Sequence, residues 1–143
     1  MHHCTEEWMK NLRQIRVVAG AIVEQSKLLV AQRNENTASS LLWEVPGGKV
    51  EAGESDQQAL IRELREELEI DVSVHEFLAS STVVVDERQI EMLVYRCSIQ
   101  YGQPQAIEHK QIRWMNADQL STLSWAPADI PILPQLLECT KGN

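Results

Sequence analysis

Glu63, Glu66 and Glu67 fall at i, i+3 and i+4 of a stretch in which Leu60, Leu64 and Leu68 repeat at helical spacing. A helix from Ser55 to about Leu68 therefore projects three carboxylates from one contiguous face. That face flanks an apolar stripe of the leucines with Ile61. Like charges at these separations destabilise a helix by about 0.2–0.5 kcal/mol per pair, so local folding gives no reason for the clustering. A divalent cation gives one, because carboxylate oxygens are the preferred ligands of Mg²⁺. Arg62, beside Glu63 and four residues before Glu66, is placed to hold a carboxylate by charge-assisted hydrogen bonds. A glutamate-rich face alone is usually solvated surface. The preceding turn shifts the balance: Gly47 and Gly48 let backbone approach the helix end, where carbonyl oxygens can join a hard-cation site. A loop joining a strand to an amphipathic helix explains the glycines and leucines but leaves the acidic trio unexplained.

The elements that must position these groups follow from pattern. Ser55 caps the helix and Gln58 completes a capping box. Ile15–Val23, Leu28–Gln32, Trp43–Val45, Val72–Ala79, Thr82–Val85, Ile90–Ile99 and Gln111–Met115 read as strands. Pro46-Gly47-Gly48 is a turn signal. Asn34–Ser40 is a polar loop, and Ala117–Leu123 and Pro131–Cys139 read as helical. Residues 1–14 are a polar arm and residues 15–140 a single domain. Strands and helices mixed around a glycine-rich turn imply an α/β layer fold, with the strand order left open by the pattern.

The 143 residues are 43% apolar and 24% charged, ordinary for one globular domain. No apolar run approaches the ~18 residues of a membrane span. The N-terminus lacks the apolar centre of a signal peptide, so a cytoplasmic location is expected. Three dispersed cysteines (Cys4, Cys97, Cys139) fit free thiols in a reducing compartment, with neither a disulfide framework nor a zinc site. With 21 acidic against 13 basic residues the net charge is −8. That field disfavours a long nucleic acid as a partner, while leaving small polyanions carried with divalent cations; no membrane partner is expected.

The segment Gly47–Ile70 resembles the Nudix box, G-x5-E-x7-R-E-U-x-E-E-x-G-U with U aliphatic. Gly48, Glu54, Arg62, Glu63, Leu64, Glu66, Glu67 and Ile70 stand at eight of its nine defined positions, and Glu69 replaces the second glycine. Weaker similarity extends from about Ile15 to Leu137, toward the MutT-type and CTP-pyrophosphohydrolase-like branch. The resemblance implies an α/β/α sandwich around a mixed sheet. The implied activity is Mg²⁺-dependent hydrolysis (Mn²⁺ substituting) of a nucleoside triphosphate to the monophosphate and pyrophosphate, including modified nucleotides such as 8-oxo-dGTP or 5-methyl-dCTP. It implies metal ligation by Glu63, Glu66 and Glu67 with the Gly47 carbonyl, and an Arg62 that orients Glu63. Glu54 would then make outer contacts, and Glu108 would be a further catalytic and metal-binding acid from a later loop. Either Glu63 or Glu67 serves as general base.

For the substrate, Arg33 could reach a phosphate or base, Lys49 a phosphate and Trp43 a base face; Gly48 is a further substrate-binding candidate, and Val45 aligns with a base-pocket position of MutT-type enzymes. Each has a plain alternative: Arg33 and Lys49 as surface cations, Trp43 as core, Glu108 as an exposed loop acid, His109 as a surface histidine. The segment Trp125–Leu133 resembles the C-terminal stretch of MutT-type enzymes, and Asp129 stands where these put a base-reading asparagine. Its alternative is a helix N-cap ahead of Pro131. The expected partner is a small nucleotide, and the expected assembly a monomer or homodimer. An RNA 5′ pyrophosphohydrolase and a non-catalytic nucleotide-binding module remain as other readings. Modules of the latter kind typically lose box glutamates, which are all present here.

Overall fold

A computed structural model describes residues 11–35 and 40–141. Residues 1–10 of the expected arm and 36–39 of the expected polar loop lie outside the described residues. Its strands are β1 (Arg13–Glu24), β2 (Lys27–Gln32), β3 (Trp43–Glu44), β4 (Gly47–Lys49), β5 (Asp71–Val85), β6 (Arg88–Tyr101) and β7 (Gln111–Met115). The helices are α1 (Asp56–Leu68), α2 (Ala117–Leu120) and α3 (Leu133–Cys139), the last entered through a 3₁₀ turn at Ile130–Ile132. The strands form a seven-stranded mixed sheet with the path β3-β2-β1-β6-β5, on which β4 also pairs with β1 and β7 with β2. β1 and β6 run parallel, from Arg13↔Arg88 to Ile22↔Cys97.

Two-residue periodicity splits the core into two layers. On one face Val18, Ile22 and Leu29 pack with Ala59, Leu60, Leu64 and Leu68 of α1. On the other, Ala19, Ala21, Leu28 and Val30 pack with Trp43, Leu120, Trp125, Ile132 and Leu136. The result is an α/β/α sandwich with α1 alone on its side.

One edge of β1 changes partner along its length. Val17, Val18 and Ala19 pair with β4, and Val23 and Glu24 pair with β2. Between them Gly20 N–H donates to Pro46 O at 2.9 Å. The sheet forks there, and the chain from Glu44 to Gly47 crosses the fork. Gly47 is the residue that makes the crossing fit. A β-carbon on it would overlap Val18 O and lie 2.7 Å from Ala19 Cα. Gly47–Lys49 is thus a short strand, where the glycine pair alone suggests a turn.

Other boundaries differ from the sequence pattern for local reasons. Val72–Ala79 and Thr82–Val85 are one strand, because β5 absorbs its irregularities as register shifts between Val74 and Ala79 while β6 runs on beside it. The helix expected to reach Leu123 stops at Leu120, and the Ser121 and Thr122 hydroxyls donate to Ala117 O and Gln119 O. The segment expected to be helical from Pro131 starts as the 3₁₀ turn, and α3 begins only at Leu133. β1 begins at Arg13, so the end of the expected arm is strand. Among the described residues no helix is long and apolar enough to cross a membrane.

Candidate active site

α1 starts with the capping box: Ser55 Oγ accepts from Gln58 N, and Gln58 Oε1 accepts from Ser55 N. Its end is set by Glu69, a left-handed residue at φ 58° and ψ 39° whose N–H donates to Arg65 O. Between these ends Arg62 gathers the box. Its Nε and Nη2 donate to the two oxygens of Glu54 at 2.7 and 2.8 Å. Nη2 also donates to Lys49 O at 3.0 Å and Nη1 to Glu63 Oε1 at 2.8 Å. Glu54 also accepts from Glu51 N–H, and with the Arg62 hydrogen bonds leading, its pKa falls to about 2. Glu63 is pressed onto Gly48, so closely that a β-carbon there would overlap its carboxylate. Gly48 therefore seats a glutamate. Glu66 is exposed, its Oε1 3.5 Å from Arg62 Nη1.

Glu67 turns inward and is 6% exposed. Its Oε1 is buried and has no hydrogen-bond partner among the described residues. Burial, followed by the hydrogen bond with Glu63 and the charges of Glu44, Glu63 and Glu108, pushes its pKa up to about 10. Glu108 itself is exposed on the loop before β7. Its neighbour His109, expected at the surface, is buried, with Nε2 3.0 Å from Glu44 Oε2 and 3.7 Å from Glu67 Oε1. Glu44 was not singled out by sequence. It lies between buried Trp43 and Val45 in a two-residue strand, so only the topology reveals that its side of the sheet faces other acids. Arg33 Nε donates to Glu44 Oε1 at 2.8 Å. Burial raises the Glu44 pKa, but hydrogen bonds from His109 and Arg33 and the Arg33 charge outweigh it and hold Glu44 below the ordinary carboxylate value.

Beside this acidic fork lies a cleft of about 200 Å³. Ile15, Val17, Ile90 and Met92 give it an apolar floor, and Arg33, Glu44, Val45, Lys49, Arg88 and Asp129 contribute to its walls. Asp129 caps no helix by its side chain. Instead Oδ2 accepts from Val45 N–H at 2.9 Å, and the residue is 2% exposed. Burial and the Glu44 charge, opposed by the Val45 hydrogen bond and Arg33, push its pKa up to about 8. The structure thus brings Arg33, Val45, Gly47, Lys49 and Asp129 to the cleft, and Arg62, Glu63, Glu67 and Glu108 to the fork beside it.

Among the described residues no three acid, histidine or cysteine side chains already form a cage for a cation. The donor set nevertheless fits a hard one. Mg²⁺ commonly takes one or two carboxylates and completes its shell with water and substrate phosphates. The bare, buried Glu67 oxygen among like charges is a position that a positive ion would satisfy.

The family model described as the NUDIX domain matches residues 14–136, so the chain belongs to the Nudix family and is a Nudix hydrolase. Members of this family use divalent cations. The CTP pyrophosphohydrolase of Escherichia coli K12 is 42% identical over 122 residues, 85% of this chain and 90% of that protein. The 8-oxo-dGTP diphosphatase of Haemophilus influenzae is 31% identical over 127 residues, 88% of this chain and 93% of that one. The solution structure of the E. coli ORF135 protein superposes with a TM-score of 0.78 at 39% identity, covering 90% of this chain and 92% of the other.

Proposed function

We propose that this chain is a Mg²⁺-dependent nucleoside triphosphate pyrophosphohydrolase, converting a (d)NTP and water to the (d)NMP and pyrophosphate. The observation that carries the reading is Glu67: a buried carboxylate with a bare oxygen, crowded by acids, next to a cleft that fits a base. Folding alone gains nothing from that arrangement.

Mg²⁺ held among Glu63, Glu66, Glu67, Glu108 and the Gly47 carbonyl, which would share more than one ion between them, would neutralise phosphate charge and so ease attack by water. Arg62, tied to Glu54 and Lys49 O, fixes Glu63 against Gly48 and keeps its carboxylate from swinging into solvent. Glu63 or Glu67 takes the proton of the attacking water. The apolar floor holds the base by stacking and exclusion of water, Asp129 and Arg33 meet its polar edge, and Lys49 approaches the phosphates.

The names of the relatives support CTP and 8-oxo-dGTP as first substrates; 5-methyl-dCTP, a modified cytidine nucleotide, joins them in the test. The test is a panel of CTP, dCTP, 5-methyl-dCTP, dGTP, 8-oxo-dGTP and UTP with Mg²⁺ or Mn²⁺, assaying pyrophosphate against phosphate. Stoichiometric pyrophosphate and monophosphate are expected. Phosphate release alone, or no turnover of any member, would overturn the reading.

A further inference from the structure

We propose that His109 is a positioning residue: it braces Glu67 against Glu44 and so ties the acidic face of α1 to the wall of the cleft. The loop that carries His109 is fixed at both ends. Gln105 N–H donates to Leu68 O at 2.9 Å and Ile107 N–H to Glu67 O at 3.3 Å, hanging the loop on the last carbonyls of α1. Gly102 lies so close to α1 that a β-carbon on it would sit 2.8 Å from Glu69 O. At the other end Lys110 N–H donates to Gln32 O at 3.0 Å, joining the loop to β2.

Held in this way, the imidazole is 7% exposed and sits between two carboxylates from different elements. An ionised carboxylate only accepts, so the hydrogen is on Nε2 and donates to Glu44 Oε2 at 3.0 Å. Nδ1 is buried and without a partner among the described residues. For packing alone this is a poor choice, since a phenylalanine fills similar space with no unsatisfied nitrogen. What the histidine adds is a donor to Glu44 on a ring that also stands 3.7 Å from the bare Glu67 oxygen, holding the two acids on either side of it. Glu44 in turn takes the Arg33 Nε hydrogen, and both residues line the cleft. A continuous run, Arg33–Glu44–His109–Glu67, thus links the base-side wall to the buried acid of α1.

The proposal rests on the hydrolytic reading, and two readouts separate them. Wild type, His109→Phe and His109→Gln are compared for kcat and KM on the best triphosphate of the panel. In parallel, the rise in melting temperature on adding Mg²⁺ is measured without nucleotide. Phe is expected to lower kcat by about 10- to 100-fold, the usual cost of removing a partner that orients a ligand, with KM held within about threefold. It should also shrink the Mg²⁺-induced shift, and Gln, which restores a donor, should recover most of both. An unchanged kcat and shift in Phe, or a Gln variant as impaired as Phe, overturns the proposal. If Phe does not fold, a cycle of Glu44→Gln, His109→Ala and the double variant decides: losses in kcat that fall short of additive support the brace, and additive losses overturn it. A wild type without turnover counts against the hydrolytic reading, and the Mg²⁺ shifts still decide the role of His109.

Discussion

The carboxylate of Glu63 occupies the space that a β-carbon on Gly48 would need, with Oε1 2.8 Å from that position and Cδ and Oε2 nearer still. The obstruction is the far end of a flexible side chain, so a larger residue would displace the glutamate and spare the backbone. Gly48→Ala should therefore fold with a melting temperature close to wild type and lose about 10- to 100-fold in kcat. Gly47→Ala should behave oppositely, because its β-carbon meets the β1 backbone at Val18 and Ala19. It should lose about 1–3 kcal/mol of stability or more. Urea unfolding and pyrophosphate release on both variants check the pair; equal destabilisation by both would show that Gly48 serves the fold and seats nothing.

Glu67→Gln keeps shape and removes charge at the most crowded acid. Turnover should fall on the order of 10²-fold or more. The stability effect has the opposite sign. Glu67 has a folded pKa of about 10, mainly through burial, against 4.5 for the free group. An acid shifted upward binds its proton more tightly folded than unfolded, so it erodes stability as pH rises from about 4.5 to about 10. In EDTA at pH 8 the Gln variant should melt higher than wild type. Near-normal turnover at saturating Mg²⁺ would remove Glu67 from the site.

How much of this was legible in the sequence depended on range. The α1 cap was legible because Ser55 and Gln58 interact over three residues, and the box because its frame lies within one turn and one helix. The α/β class followed from periodicities that the two core layers obey. His109 was misread because nothing in GQPQAIEHK has a period; its burial comes from Glu44, 65 positions away. Glu44 escaped for the same reason. Asp129 read equally as a cap, and only the fold brings Val45 N–H, 84 positions away, to its carboxylate.

Glu69 holds a left-handed conformation at φ 58°, where the box has glycine. A side chain with a β-carbon is strained there, and glycine is not. Glu69→Gly should raise stability by about 0.5–1 kcal/mol, since relief of strain outweighs the added freedom of the unfolded chain. The ligands upstream are untouched, so kcat should stay within twofold or so. A lower melting temperature would show that the Glu69 side chain contributes more than its backbone costs.

Asp129 makes base selectivity depend on pH. Burial and the Glu44 charge, opposed by Val45 N–H and Arg33, raise its pKa from 3.8 to about 8. An ionised Asp129 would accept only, which suits bases presenting donors, such as the cytosine amine or the N1–H and amine of guanine. At pH 7 the folded carboxyl instead keeps its proton, accepting from Val45 with Oδ2 while a protonated oxygen donates, much as an asparagine would. Because the folded pKa lies above the unfolded one, stability falls as pH rises from about 4 to about 8 and then levels. Asp129→Asn should flatten that slope, so the melting-temperature gap in its favour should widen toward pH 8. At pH 6.5 the kcat/KM ratios among CTP, dGTP, 8-oxo-dGTP and UTP should match in the two proteins within about threefold. At pH 9 the wild type becomes acceptor only, and the ratios should diverge by about 1–3 kcal/mol, toward cytidine and guanine over uridine. Identical ratios at both pH values would mean that the base is read elsewhere in the cleft.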